Sequence, residues 1–292
     1  MKCKGKTPEE IVREYRRGLR RKQGLMVLAC AVYFVITVWL IWRKNIGSLN
    51  VLLNGLLLAL CTFPMNIWIS WDFLSLNRIL NENCDPATYA AVCRLLLGIH
   101  KSRRVRLQIA VNEAVGIQWR GRFSEALDMV NRLALPKKEV SLQLLARNVR
   151  FNCFVRLGDL DSAQRVREEA EQYAGTIRKP ALQKRGAQLL KIMDVGFAFQ
   201  RGDYEALRRL EEELSAGYTV PIQKVSAAFR LAQADLAQGE RENARDRLEF
   251  VLEQGGTLCF MEEARQLLDQ ARTQAIAEQE EIRAGARDEG YR

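Results

Sequence analysis

RLGDLDSAQ, residues 156–164, places Gly158 between two helix-compatible stretches, and the same event recurs three times. The other copies are WRGRFSEAL (119–127), QRGDYEALR (200–208) and AQGERENAR (237–245), with their glycines 37, 44 and 37 residues apart. A glycine there suits a tight turn between helices, because it reaches left-handed backbone angles without a Cβ clash. Five residues on stand Ala126, Ala163 and Ala244, small side chains that let two antiparallel helices come close. The third copy departs, with Ala206 at four and Leu207 at five.

Outward from each turn the apolar spacing is helical. Val105, Ile109, Val115 and Trp119 pair with Ala126, Val130 and Leu133; Leu145, Val149 and Phe154 pair with Ala163, Val166 and Ala170. A third pair uses Leu189, Ile192, Val195 and Phe199 with Leu207, Leu210 and Leu214, and a fourth joins Phe229, Leu231 and Leu236 to Leu248 and Val251. The longer gap before the third pair contains Gly175, Thr176 and Pro180, which predicts a loop insertion there. Phe260 to about Ala275 reads as a further amphipathic helix covering the last pair, and 277–292 as a polar tail.

These turns resemble tetratricopeptide repeats, in which a Gly, an Asp or Asn, a Tyr or Phe and a following Ala join helix A to helix B. The likeness is good around Gly158, Gly202 and Gly239 and fair from Gly121 through Phe123 to Ala126. Leu231 and Ala232 also match, whereas Asp235 stands where a Tyr is usual and Phe151 where a small residue is expected. The spacing exceeds the family's repeat length of about 34 residues, and Pro136 alone is placed as a repeat-ending proline. The resemblance implies a degenerate all-α solenoid over 104–276 whose curved face docks a peptide or protein.

Upstream lies LMVLACAVYFVITVWLIW, 25–42, uncharged and long enough to cross a bilayer. After Arg43 to Ser48 comes LNVLLNGLLLALCTFPMNIWISW, 49–71, equally uncharged. Trp39, Trp42, Trp68 and Trp71 sit at the ends, where indole rings suit the headgroup zone. The expectation is a transmembrane hairpin over 25–71. A removed secretory leader is disfavoured, because the apolar run is long and closes on Trp42, Arg43 and Lys44 instead of small residues.

Nine basic residues precede the first span and only Arg43 and Lys44 follow it, which places the N-terminus and everything after about residue 73 in the cytosol of a plasma (inner) membrane protein. Thr7 as cap, Pro8 at the first helical position and Glu9 and Glu10 in the first turn start a short helix in the basic segment 1–24. That helix either lies on the inner leaflet or merely supplies orienting charge. Within the second span, Asn50 and Asn54 share a face that packs on the first span or on another copy of the chain, making a homo-oligomer. Residues 72–103 read as juxtamembrane helices, with Asp85 capping a helix that begins at Pro86 and ends near Gly98.

The formal charge of +10 is uneven: +6 over 1–24, +1 over 25–72, +7 over 73–150 and −4 over 151–292. A basic excess near the spans with a mildly acidic distal half suits anionic lipid better than a nucleic-acid groove, and no nucleic-acid partner is expected. Lys101, Arg103, Arg104 and Arg106 read as a solvated helix start, with lipid headgroups as the alternative. Seven cysteines without a CxxC pair indicate reduced thiols. Cys84 and Cys93 could hold a lipid or metal, but packing thiols are the simpler reading because no His stands at ligand spacing.

Catalytic machinery is not visible. His100 is the single histidine, which excludes HExxH, and neither GxxxxGK[ST] nor GxGxxG occurs. Glu211, Glu212 and Glu213 read as a solvated acidic face. No catalytic, cofactor-binding or metal-ligating residue is assigned, and the chain is read as a scaffold or adaptor instead of an enzyme. The alternative is an accessory subunit that contacts a transporter or membrane enzyme through its hairpin.

Overall fold

The computed structural model describes residues 5–42, Gly55 and 75–273. The second expected span, with Asn50 and Asn54, and the polar tail 277–292 lie outside the described residues. Regular structure among the described residues is all helical. The chain forms two compact units, Met1–Arg78 and Ile79–Arg292.

The first unit carries α1, Pro8–Trp42. Its start follows from a reciprocal cap: Glu10 N–H donates to Thr7 Oγ1 at 3.3 Å, and Thr7 N–H donates to Glu10 Oε2 at 3.0 Å. The expected short basic helix and first span are one continuous helix, since nothing between Glu9 and Trp42 removes a backbone donor as a proline would. Ile11 and Tyr15 are buried and Leu19 is half-buried, the one-sided pattern expected of the basic part. Beyond Leu25 the apolar side chains face outward: Val27 is 65% exposed, Phe34 68% and Trp42 82%.

From Arg78, the last residue of the first unit, the helices follow in close succession through the second. They are α2 (Arg78–Asn81), α3 (Pro86–Leu97), α4 (Arg103–Trp119), α5 (Phe123–Asn131), α6 (Val140–Leu157) and α7 (Leu160–Gly175). Then come α8 (Pro180–Arg201), α9 (Tyr204–Ser215), α10 (Pro221–Ala237), α11 (Arg241–Gln254) and α12 (261–273). Asp85 caps α3 by accepting from Thr88 N–H at 3.0 Å, with Pro86 in the first turn, as its sequence requires.

All four turn glycines adopt positive φ: +80° at Gly121, Gly158 and Gly239, and +68° at Gly202. Each closes the preceding helix with the same bonds. The residue after the glycine donates to the carbonyl five back, Arg122 to Ile117 at 3.2 Å, Asp159 to Phe154 at 3.0 Å, Asp203 to Ala198 at 3.0 Å and Glu240 to Asp235 at 2.8 Å. That same residue then begins the next helix, accepting from Ala126, Ala163, Leu207 and Ala244. All four of these later residues are fully buried. Leu207 therefore occupies the place of the alanines, and Ala198 and Ala234 beside it supply the room.

Neighbouring helices run antiparallel. From Ala90 to Arg94 along α3, the partners on α4 retreat from Gly116 to Glu113. From Arg167 to Ala174 along α7 they retreat on α8 from Asp194 to Gly186, and from Arg208 to Glu211 along α9 they retreat on α10 from Asp235 to Arg230. Gly116 permits the first of these approaches, since a Cβ there would lie 3.0 Å from that of Ala90. Beyond sequential neighbours, α4 packs on α6 and α6 on α8. The front helices α4, α6, α8 and α10 thus share one direction, with their N-termini on one edge and the glycine turns on the other.

Apolar clusters fill the spaces between. Ile117, Val130 and Val149 belong to one, Phe151, Val166 and Met193 to another, and Val195, Leu207 and Leu214 to a third. Phe151, expected to be too large, is fully buried edge-on to Phe197 at 5.1 Å, opposite Gly196. The expected loop insertion before the third pair is instead helix: only 176–179 separate α7 from α8, and α8 runs for 22 residues against 17 in α4. Pro180 starts α8 instead of breaking it, because a first-turn proline forfeits no helical bond.

Candidate docking surface

The groups with the most chemistry are built into the packing. Cys84, Cys93 and Cys153 are buried, and burial pushes their thiols up to about 11, about 12 and about 12. A thiol so held is protonated at neutral pH and a poor nucleophile or ligand. Among the described residues no group of three or more His, Cys, Asp and Glu could hold a metal ion. His100 is half-buried, and burial lowers its pKa, leaving the ring neutral at pH 7.

Carboxylates inside the stack are paired. Glu113 receives Arg94 at 2.8 Å. Asp235, fully buried, lies 2.8 Å from Arg247 Nε and 2.7 Å from Arg208 Nη2. The Arg208 contact is an ion pair without hydrogen-bond alignment, since Asp235 Oδ1 has no well-directed donor. Two arginines thus stabilise a polar residue at an apolar position. Glu211 corrects the expectation of a solvated face: it is buried, paired to Arg230, and accepts from Tyr218 Oη at 2.5 Å. Burial and Glu211 together push the Tyr218 phenol well above its ordinary pKa. Glu212 is exposed as expected, and Glu213 pairs with Lys191 at 2.7 Å.

Two surfaces remain for a partner. The first is the face on which α4 and α10 present Trp119 and Phe229. It is already partly filled, because Phe260 stacks on Phe229 at 4.4 Å and meets Trp119 edge-on at 6.5 Å. The backbone of 255–260 is clasped as well: Thr257 N–H donates to Cys84 C=O at 2.9 Å and Cys259 N–H to Trp119 C=O at 3.0 Å. The segment after α11 therefore touches the start of α3 and the end of α4. Sequence reasoning placed Phe260 at the start of a covering helix, but the contact with the first pair spans too much chain to be read from local spacing.

The second surface is an open groove of about 620 Å³ where α4, the α5–α6 link and α6 meet. Leu107, Leu135, Pro136 and Leu142 line its floor, and Arg103, Arg104 and Lys138 its rim. Glu139 holds Arg104 at 3.1 Å. Arg103 and Arg104, read from sequence as a solvated helix start, stand exposed here beside apolar surface.

No protein-family model, curated protein or solved structure matches this chain.

Proposed function

We propose that the chain is a membrane-tethered adaptor: an apolar hairpin over about 25–71 holds a tetratricopeptide-like α-solenoid on the cytosolic side of the plasma membrane, where the array docks a protein or peptide. The observation that carries this reading is the fourfold recurrence of one turn, with one buried position five residues on, in a chain whose α1 exposes apolar side chains. A helix that apolar has unfavourable contact with water along its length, whereas a bilayer accepts it. Stacked helix pairs offer an extended surface for recognition and need no catalytic group.

The occupied face at Phe260 favours a second reading, an accessory subunit that meets a transporter or membrane enzyme through the hairpin. Exchanging residues 25–71 for an unrelated two-span anchor separates the two. In-membrane crosslinking that still captures the same partner supports the adaptor; loss of capture with an unchanged circular dichroism melt supports the accessory subunit. Topology is tested at an introduced thiol, because Cys84, Cys93 and Cys153 are buried and Cys259 is half-buried. Ser102→Cys, at an exposed position, should escape an impermeant maleimide on intact cells and react after permeabilisation. Reaction on intact cells would overturn the cytosolic placement.

A further inference from the structure

The two edges of the helical stack differ in charge. Where the front helices begin, 101–106 carries four cations, 132–138 three, 178–185 four, and the start of α10 carries Lys224. All of these are exposed. None of these three stretches contains a carboxylate; Glu139 adjoins the second, and Arg104 is the cation it pairs. Elsewhere in the stack many arginines are paired, as at Arg94, Arg150, Arg167, Arg230, Arg247 and Arg272, and the exposed Arg156 and Arg201 by the glycine turns lie over Phe123 and Phe197.

The helix ends sharpen the asymmetry. The back helices α5, α7, α9 and α11 each carry an acidic residue in the first turn, Glu125, Asp161, Glu205 and Glu242. The front helices α4, α6, α8 and α10 carry none there, and no N-cap side chain accepts a hydrogen bond from their first turns. A helix N-terminus is the positive end of its dipole, so carboxylates there stabilise and cations oppose. At α4 and α8 the chain sets cations beside positive ends that no acidic side chain offsets, whereas α6 has Glu139 at its N-cap and α10 has Gln223 Oε1 accepting from Val220 N–H.

We propose that this edge docks on the anionic lipid headgroups of a membrane surface. The inference rests on the tethered reading above, which keeps the array near headgroups at high effective concentration. Each exposed cation near an anionic leaflet adds attraction, and Glu139 on Arg104 is the one ion pair described among these edge cations. The groove beneath Arg103, Arg104 and Lys138 adds apolar surface to the same edge.

The test uses the full chain reconstituted in vesicles of phosphatidylcholine alone or with roughly a third phosphatidylglycerol. Lysine acylation is read residue by residue by mass spectrometry. Lys101, Lys137, Lys138, Lys179 and Lys184 should react at least about fivefold more slowly on the anionic vesicles, recovering in roughly 0.5 M salt. Lys191, paired with Glu213 away from this edge, should be unchanged. Equal edge reactivity on both vesicles, with the protein still floating with them, overturns this proposal and leaves the tether standing. Failure to float with neutral vesicles while anionic ones still protect the edge sinks the tether instead. Protection by a homopolymeric RNA but not by anionic vesicles would also overturn the lipid assignment.

Discussion

Helices α1 and α8 are the two longest described, and they use apolar residues in opposite ways. In α8, Leu189, Met193, Val195 and Phe197 turn inward onto α6, α7 and α9, and Lys184, Arg185 and Lys191 turn out. In α1 beyond Leu25 apolar side chains point outward on several sides, among them Val27, Leu28, Phe34 and Val35. A stripe is satisfied by neighbouring helices, but a helix apolar all round needs an apolar solvent. The contrast teaches that burial of α8 is completed within the chain, and that of α1 is left to its surroundings.

The sharpest way to break this contrast is to charge α1. Val32→Lys with Val35→Lys should cost about 5–7 kcal/mol of insertion of α1, from roughly 2.5–3.5 per central lysine, and lower the carbonate-resistant membrane fraction. Ala187→Lys on the exposed side of α8 should leave both association and melting unchanged.

Next in size is Asp235→Ala. Removing the carboxylate leaves Arg208 and Arg247 facing a buried void, and the expected loss is about 3–5 kcal/mol by urea titration. Retention of full stability would mean that the two arginines reach water unaided.

Leu207→Ala restores the alanine of the other turns, yet it should destabilise by about 2–4 kcal/mol, because Ala198 and Ala234 cannot refill the space. A neutral result would show that α9 closes on α8 as α5 does on α4.

The smallest effect concerns Asp159, whose hydrogen bonds with the Ser162 hydroxyl and then with Ser162 N–H hold its carboxyl below the usual range. The sign follows from linkage: a depressed folded-state pKa contributes stability above the unfolded value of about 4, lost as pH falls through the folded value. Asp159→Asn should therefore melt slightly below wild type at neutral pH and converge with it in acid.

Local chemistry was legible in the sequence. The left-handed glycines, the Thr7 and Asp85 caps and the prolines opening α1 and α3 each depend on a few adjacent residues. The features that escaped depend on partners far along the chain. Glu211 is buried because Arg230 and Tyr218 come to meet it, which no charge run announces. Phe260 reaches Trp119 and Phe229 only after the stack has formed. The extra residues before the third pair carried loop-forming types, yet Pro180 sat where a helix can begin. For the docking surface, the cations of 101–106 were visible at once, but their alignment with those of 132–138 and 178–185 requires knowing that the front helices run parallel.

The bonds from Thr257 to Cys84 and from Cys259 to Trp119 bear on how the array melts. An open row of repeats has two loose termini from which unzipping spreads, and its stability rises with each unit added. Here the segment after α11 is bonded back to the residues around the start of α3 and the end of α4, so a further helix pair would have to break that closure. Amide exchange in α3 should then be as slow as in α6, and loosening the closure with Phe260→Ala should quicken α3 first.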